Sequence, residues 1–334
     1  MKFVEMEYEK KKVRIVLWKL LAVYNKICNN KKGISIKEGA VTKMEKTAVV
    51  TDSNSGISQN QAQKYGVYVL PMPFYIDDEL YLEGQTITNE EFFRRQKNGS
   101  VIYTSQPNPY DVTQLWDQVL DQYEELLYIP MSSGLSGSCE AAMAAAKQYG
   151  GRVVVADLGR VSVTQKIAVL EARRMALMGC RAVQICDSLQ AVKNECIIYL
   201  TVDNLKYLKQ GGRISASSAM VGNVLHIKPL LGLQGGKIEV VEKVRGDKAV
   251  RKKMMKAVQR DITERFHAQG IREFHLASAA SMPVEDARQL KESFEEYFGV
   301  HCSMSSIPLS VATHLGYGTY GLALVRKMDR KNNR

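Results

Sequence analysis

The chain has 334 residues, 45% of them apolar, which is enough for a large core and for two domains. Its formal charge of +11 is unevenly spread, because residues 1–43 carry 11 Lys/Arg against 4 Asp/Glu, a net of +7. The excess belongs to one end, which argues against a basic groove for nucleic acid, and no apolar run reaches the roughly 20 residues that cross a bilayer.

Six cysteines (Cys28, Cys139, Cys180, Cys186, Cys196, Cys302) form no C-x-x-C pair, and most sit in apolar company. They fit reduced core thiols of a cytoplasmic protein. The histidines His226, His267, His275, His301 and His314 show no i, i+4 pairing, so the pattern supports no metal site.

In chain order, residues 1–46 read as a basic extension. Residues 13–24 are apolar but broken by Arg14 and Lys19, too short and charged for a membrane span and without a signal-peptide cleavage site. A helix on a membrane surface and a helix on the protein's own surface are the two readings.

Residues 47–50 read as a first strand, with Thr51-Asp52-Ser53-Asn54-Ser55-Gly56 as the turn at its carboxyl end. Residues 59–65 follow as a helix, 67–70 as a strand ended by Pro71, and 90–97 and 110–122 as helices. After the apolar run Leu126-Leu127-Tyr128-Ile129 comes Pro130-Met131-Ser132-Ser133-Gly134-Leu135-Ser136-Gly137-Ser138, then an alanine-rich helix. Residues 153–156 read as a strand and 165–178 as an amphipathic helix. Strands alternating with helices of this length predict a mostly parallel sheet covered on both faces, with ligands beyond the strands' carboxyl ends. The three polar turns, at 51–53, 104–106 and 132–138, are expected along that one edge.

The style changes after Asp187. Residues 197–202 read as a strand, 205–209 as a helix, 230–233 and 237–244 as a hairpin across Gln234-Gly235-Gly236, and 247–266 as a long helix. A strand at 273–277, a helix at 283–297 and a strand at 322–325 complete the pattern. The expectation is an α/β protein of two domains, 47–188 and 189–330, with a small-molecule site between them.

The chemistry centres on the serine turn. A strand, a Gly/Ser turn and a helix aim backbone N–H groups and hydroxyls at an anion, while a Ser-capped helix without a ligand is the plainer alternative. The G-x-S-x-G elbow of serine hydrolases fails at Ser138, and neither a G-x-G-x-x-G nor a Gly-Lys-Ser/Thr phosphate loop is present. Anion binding by hydroxyls and amides survives the comparison.

Val49-Val50-Thr51-Asp52-Ser53, Thr104-Ser105-Gln106-Pro107 and the 132–138 turn, followed by Leu208-Lys209-Gln210-Gly211-Gly212-Arg213-Ile214-Ser215, Ile227-Lys228-Pro229-Leu230 and Thr313-His314-Leu315-Gly316-Tyr317-Gly318, resemble in order the motifs of the DegV family of bacterial fatty-acid-binding proteins. Met44-Glu45-Lys46-Thr47 resembles that family's start, so either the chain proper begins at Met44 or residues 1–43 are a loosely attached extension. The resemblance implies a non-catalytic, cytoplasmic carrier that buries a long-chain fatty acid such as palmitate and needs no cofactor or metal. It would offer the carboxylate to a partner fatty acid kinase, whose acyl phosphate feeds phospholipid synthesis. It also implies transient contact with a membrane surface and none with nucleic acid.

By the same resemblance the carboxylate ligands are Thr104, a serine of the turn (Ser133 or Ser136) and His314 on a glycine-flanked loop. The pocket loops carry Asp52, Ser53, Ser105, Gly134 and Gly316, and Arg213 and Arg245 stand near the mouth for phosphate or partner contact. Asn108, Leu315, Tyr317 and the segment 158–165 depart from the family pattern, the last bringing bulk toward the cleft. The alternative reading is a small-molecule phosphotransferase related to the dihydroxyacetone kinase fold. Against it, no carboxylate cluster stands beside a phosphate loop.

Overall fold

The computed structural model describes residues 46–214 and 227–328. The readings for Met44, for the extension before Lys46 and for residues 13–24, together with Ser215 and His226, lie outside the described residues.

The elements run β1 (Thr47–Asp52), α1 (Gln59–Tyr65), β2 (Tyr68–Leu70), β3 (Pro73–Ile76), β4 (Glu79–Leu82), α2 (Asn89–Lys97), β5 (Ile102–Thr104), α3 (Pro109–Leu120), β6 (Glu125–Ile129), α4 (Ser138–Ala146), β7 (Val153–Val155), α5 (Ser162–Leu177) and α6 (Ala182–Ala191). They continue with β8 (Cys196–Thr201), α7 (Lys206–Gln210), β9 (Ile227–Gln234), β10 (Lys237–Arg245), α8 (Asp247–Glu264), β11 (Phe274–Ala280), α9 (Val284–Phe298), β12 (Cys302–Ser306), α10 (Leu309–Leu315) and β13 (Tyr320–Arg326).

Strands β2-β1-β6-β7 form a four-stranded sheet, parallel throughout. Both of its faces are apolar, as parallel sheets require. Ala48, Val50, Leu126 and Tyr128 pack on Trp116 and Val119 of α3 and Ala142 of α4, whereas Val49, Leu127 and Ile129 meet Ala168, Val169 and Ala172 of α5 and Ile185 of α6. Helix α6 runs through residue 188 and packs on this sheet, so the layer extends to Ala191.

A second, six-stranded sheet has the order β10-β9-β8-β13-β11-β12. Only its β11–β12 pair is parallel, and β9 and β10 form the expected hairpin across Gly235-Gly236. One face (Ile197, Tyr199, Leu276, Leu322, Leu324) lies on α8 and α9 through Val250, Met254, Val258 and Phe294. The opposite face carries Ile198, Leu200, Leu231, Leu233, Ala277 and Ala279, which share one core with Phe74, Ile76, Phe92, Val161, Val163, Leu309 and Leu315.

Phe74 and Ile76 belong to a third sheet, the antiparallel β4-β3-β5, which the sequence reading missed. Its hairpin turns through Asp77 and Asp78, both left-handed at φ 51 and 66, the geometry of a tight two-residue turn. One expectation is corrected by it. The 51–53 and 132–138 turns do follow neighbouring strands β1 and β6, but Thr104 ends β5, a strand of this separate sheet. Helices α6 and α10 and strand β12 were also absent from the sequence reading.

Phe294 is fully buried between α9 and the six-stranded sheet. Phe294→Ala is expected to cost about 3–5 kcal/mol, the transfer loss plus the cavity left behind. Urea unfolding measures it; a loss below about 1 kcal/mol would mean that this layer does not share the cooperative core.

Candidate functional site

The core shared by the six-stranded sheet and the small antiparallel sheet surrounds a cavity of about 200 Å³. Its walls are Met72, Val161, Val163, Ile198, Leu200, Leu208, Leu233, Ile238, Ile307 and Val311. Polar side chains interrupt these walls.

Thr104 closes β5 and His314 lies in the last turn of α10, 210 residues later, with Thr104 Oγ1 and His314 Nε2 3.0 Å apart. The expected loop for His314 is thus a short helix, ended where the Gly316 N–H bonds to the Ala312 carbonyl. The other ring nitrogen is hemmed in by Gly211, where a Cβ would stand 2.2 Å from Nδ1. Burial, and then the charge of Arg213, push the imidazole down to about 4, so it is neutral at physiological pH.

Arg213 reaches the serine turn, donating from Nε to the Leu135 carbonyl at 3.3 Å and from Nη1 to the Gly211 carbonyl. The turn continues through Ser136, whose Oγ accepts the Ser138 N–H at 3.2 Å, to Gly137, packed so tightly on Gln106 that a Cβ would lie 2.4 Å from its Nε2. Thr104, Ser105, Gln106, Ser136, Arg213 and His314 all line the cavity and form one cup of hydroxyl, amide, imidazole and guanidinium donors.

The remaining expected site residues fall elsewhere. Ser133 does not line the cavity; its hydroxyl and N–H are committed to the Asp157 carboxylate. Ser136 does line it, with its own hydroxyl donating to Ser138 Oγ at 3.0 Å. No serine side chain caps α4, whose N-cap is Gly137. Arg245 is exposed at the end of β10 and lines no part of the cavity.

Asp52, Ser53, Gly134 and Gly316 stand behind the wall. Asp52 accepts from Asn54 N (3.1 Å), Gln165 Nε2 (3.0 Å) and Met131 N (2.8 Å), pinning β1, α5 and the serine turn together, and burial still raises its pKa. Gly134 packs on the hairpin tip, where any side chain would strike the Gly236 backbone at 2.9 Å. Gly316, at φ 82, passes against the Tyr207 ring.

Glu83 was not anticipated. It is buried just after β4, accepts from the Ser53 and Ser310 hydroxyls at 2.7 Å and from the Leu309 N–H, and desolvation pushes it up to about 7. Asn54, Ser162 and Ser310 were likewise unassigned, though all three line the cavity. A sequence signal existed only for Asn54, inside the 51–56 turn, and for Ser162, inside the divergent 158–165 segment.

Residues 46–327 match the family model described as an uncharacterised protein family, DegV. The chain belongs to the DegV family. A DegV domain-containing protein of Deinococcus radiodurans is 31% identical over 278 residues, covering 83% of this chain and 97% of the relative. Among solved structures, a fatty-acid-binding DegV protein of Thermus thermophilus superposes with a TM-score of 0.76 at 27% identity, covering 84% of this chain and all of its own. DegV of Bacillus subtilis, a fatty-acid-binding protein, gives 0.74 at 25% identity, covering 84% and 99%. The three-sheet frame around the cavity is thus a DegV frame. Among the described residues no helix is long and apolar enough to cross a membrane.

A folded-state pKa of about 4 for His314, below its ordinary 6.5, means that the unfolded chain binds the extra proton. Stability is therefore expected to fall as pH drops from 6.5 through 4, by on the order of 2–3 kcal/mol from this residue. In His314→Gln that part of the pH dependence disappears, as urea unfolding at pH 7 and pH 4 would show. An imidazole CH resonance of the lipid-free protein titrating near 6.5 would contradict the burial argument.

Proposed function

We propose that this chain is a non-catalytic fatty-acid carrier, with the acyl chain in the cavity and the carboxylate in the cup of Thr104, Ser136 and His314. The observation that carries this reading is the Thr104–His314 contact in the wall of a mostly apolar cavity. Each buried methylene contributes about 0.8 kcal/mol, so a tail of about 16 carbons offers on the order of 12 kcal/mol before the costs of association. The walls supply affinity and the cup supplies position.

A carboxylate leaving water needs several hydrogen bonds, each returning about 1.5–3 kcal/mol when charge-assisted. Thr104 and Ser136 donate hydroxyl protons and neutral His314 donates one N–H, so the head group is held without a tight ion pair. A carboxylate held in this way keeps its nucleophilicity for a separate ATP-dependent kinase, and acyl phosphate is the product of that partnership. Arg213, spanning the cup and the serine turn, is the group in reach of an incoming phosphoryl charge. The chain's place in the cell, in this reading, is the cytoplasm, with lipid collected at a membrane surface.

Mass spectrometry of an organic extract of the purified protein is expected to yield long-chain fatty acid in near-stoichiometric amount. Thr104→Ala with Ser136→Ala is expected to weaken fatty-acid retention about tenfold or more while the melting curve stays cooperative; unchanged retention removes these hydroxyls from the site. A bound carboxylate favours the imidazolium, so His314 is expected to titrate above about 4 in the loaded protein. Arg213→Ala is expected to keep its lipid yet be phosphorylated poorly by a fatty acid kinase, and normal turnover would refute the phosphate-facing role.

A further inference from the structure

Two buried polar groups in the cavity wall have no hydrogen-bond partner among the described residues. Ser162 is 7% exposed and its hydroxyl is unpaired. It is also held at φ 55, in the left-handed region that a serine occupies only at a cost. Asn54 is 1% exposed; its Oδ1 lies 2.7 Å from Ser310 Oγ, the hydroxyl that Glu83 also engages, and its Nδ2 faces the Asp52 carboxylate without closing a hydrogen bond.

The two residues belong to one region of the wall. Gln165, one turn after Ser162 on α5, bonds Asp52 Oδ1, the same oxygen that receives the Asn54 N–H. Strain and two unmet hydrogen bonds in an apolar wall are costs that a purely hydrocarbon ligand would leave unrelieved.

We propose that Ser162 and Asn54 form a second polar anchor in this cavity, for a hydroxyl or oxo oxygen carried on the acyl chain itself. The anchor rests on the carrier reading above and narrows its ligand class to oxygenated fatty acids. Its place along the chain follows from α10. Ser310, bonded to Asn54, precedes His314 by four residues, about 6 Å along a helix axis. The oxygen therefore belongs within the first few carbons from the carboxylate rather than near the methyl end. Ser162 can donate or accept and the Asn54 amide donates, so either a hydroxyl or a keto oxygen is satisfied there.

The test compares dissociation constants of the delipidated full chain for palmitate, 3-hydroxypalmitate, 5-hydroxypalmitate and 12-hydroxystearate. At least one of the two carboxyl-proximal hydroxy acids is expected to bind about threefold to tenfold more tightly than palmitate, the worth of one buried hydrogen bond, while 12-hydroxystearate gains nothing. Ser162→Gly removes the hydroxyl while tolerating the left-handed backbone and should bring that ratio to about one. Asn54→Ser, which removes the amide donors, should lower it as well.

Equal binding of palmitate and both proximal hydroxy acids by the unaltered chain would overturn the anchor and leave the carrier intact. A ratio retained in Ser162→Gly and in Asn54→Ser, or a preference for 12-hydroxystearate, would overturn it too. If none of the acids bound, the carrier reading would fall and the anchor with it.

Discussion

The constraint on which the site depends is the buried carboxylate of Glu83. It receives the Ser53 hydroxyl from the end of the parallel sheet, and the Ser310 hydroxyl and Leu309 amide from the start of α10, while itself directly following β4 of the small antiparallel sheet. One side chain thus fixes the distance between three pieces of structure that share no strand pairing. Helix α10 carries His314, and the small sheet carries Thr104, so the contact between those two is set by a group that touches neither. Burial without partners would cost a carboxylate several kcal/mol, and the three donors are what make its position specific rather than merely tolerated.

Backbone proximity completes the frame. Where Gly134 meets Gly236 and Gly137 meets Gln106, no side chain fits between the parts, so the serine turn rests directly on the hairpin tip and on the 104–106 turn. Asp52 does the complementary work from behind the wall, gathering Gln165, Asn54 and Met131 around one carboxylate. The polar network therefore lies under the cavity, and the cavity itself is left to apolar walls and a few exposed donors.

The elements most legible in the sequence were those with local causes. The helix at 59–65 was readable to the residue, as it begins on a Ser58–Gln61 capping box and ends on left-handed Gly66. The β9–β10 hairpin followed from Gly235-Gly236 between alternating strands. The motif that carries His314 was visible, but its helical backbone was not. A seven-residue helix between Pro308 and Gly316 is stabilised by what it packs against rather than by its own sequence.

Strand β12, Cys-Ser-Met-Ser-Ser, has too few apolar positions to read as a strand and exists because β11 pairs with it. The hairpin through Asp77-Asp78 carried a local signal that went unread. Glu83 carried none, since its three donors come from residues 30, 226 and 227 positions away. Spacing alone could not show that Ser136 lines the cavity while Ser133 turns to the carboxylate of Asp157.

The 210-residue separation between Thr104 and His314 has a consequence for biosynthesis. A ribosome adding about 5–20 residues per second needs roughly 10–40 s to pass from one to the other. For the later part of that interval, with the small sheet and the serine turn already synthesised, the part of the greasy lining made so far stands open to solvent. Newly made chains are therefore at their stickiest late in translation, when a chaperone or a stray lipid can occupy the surface that α10 will later close.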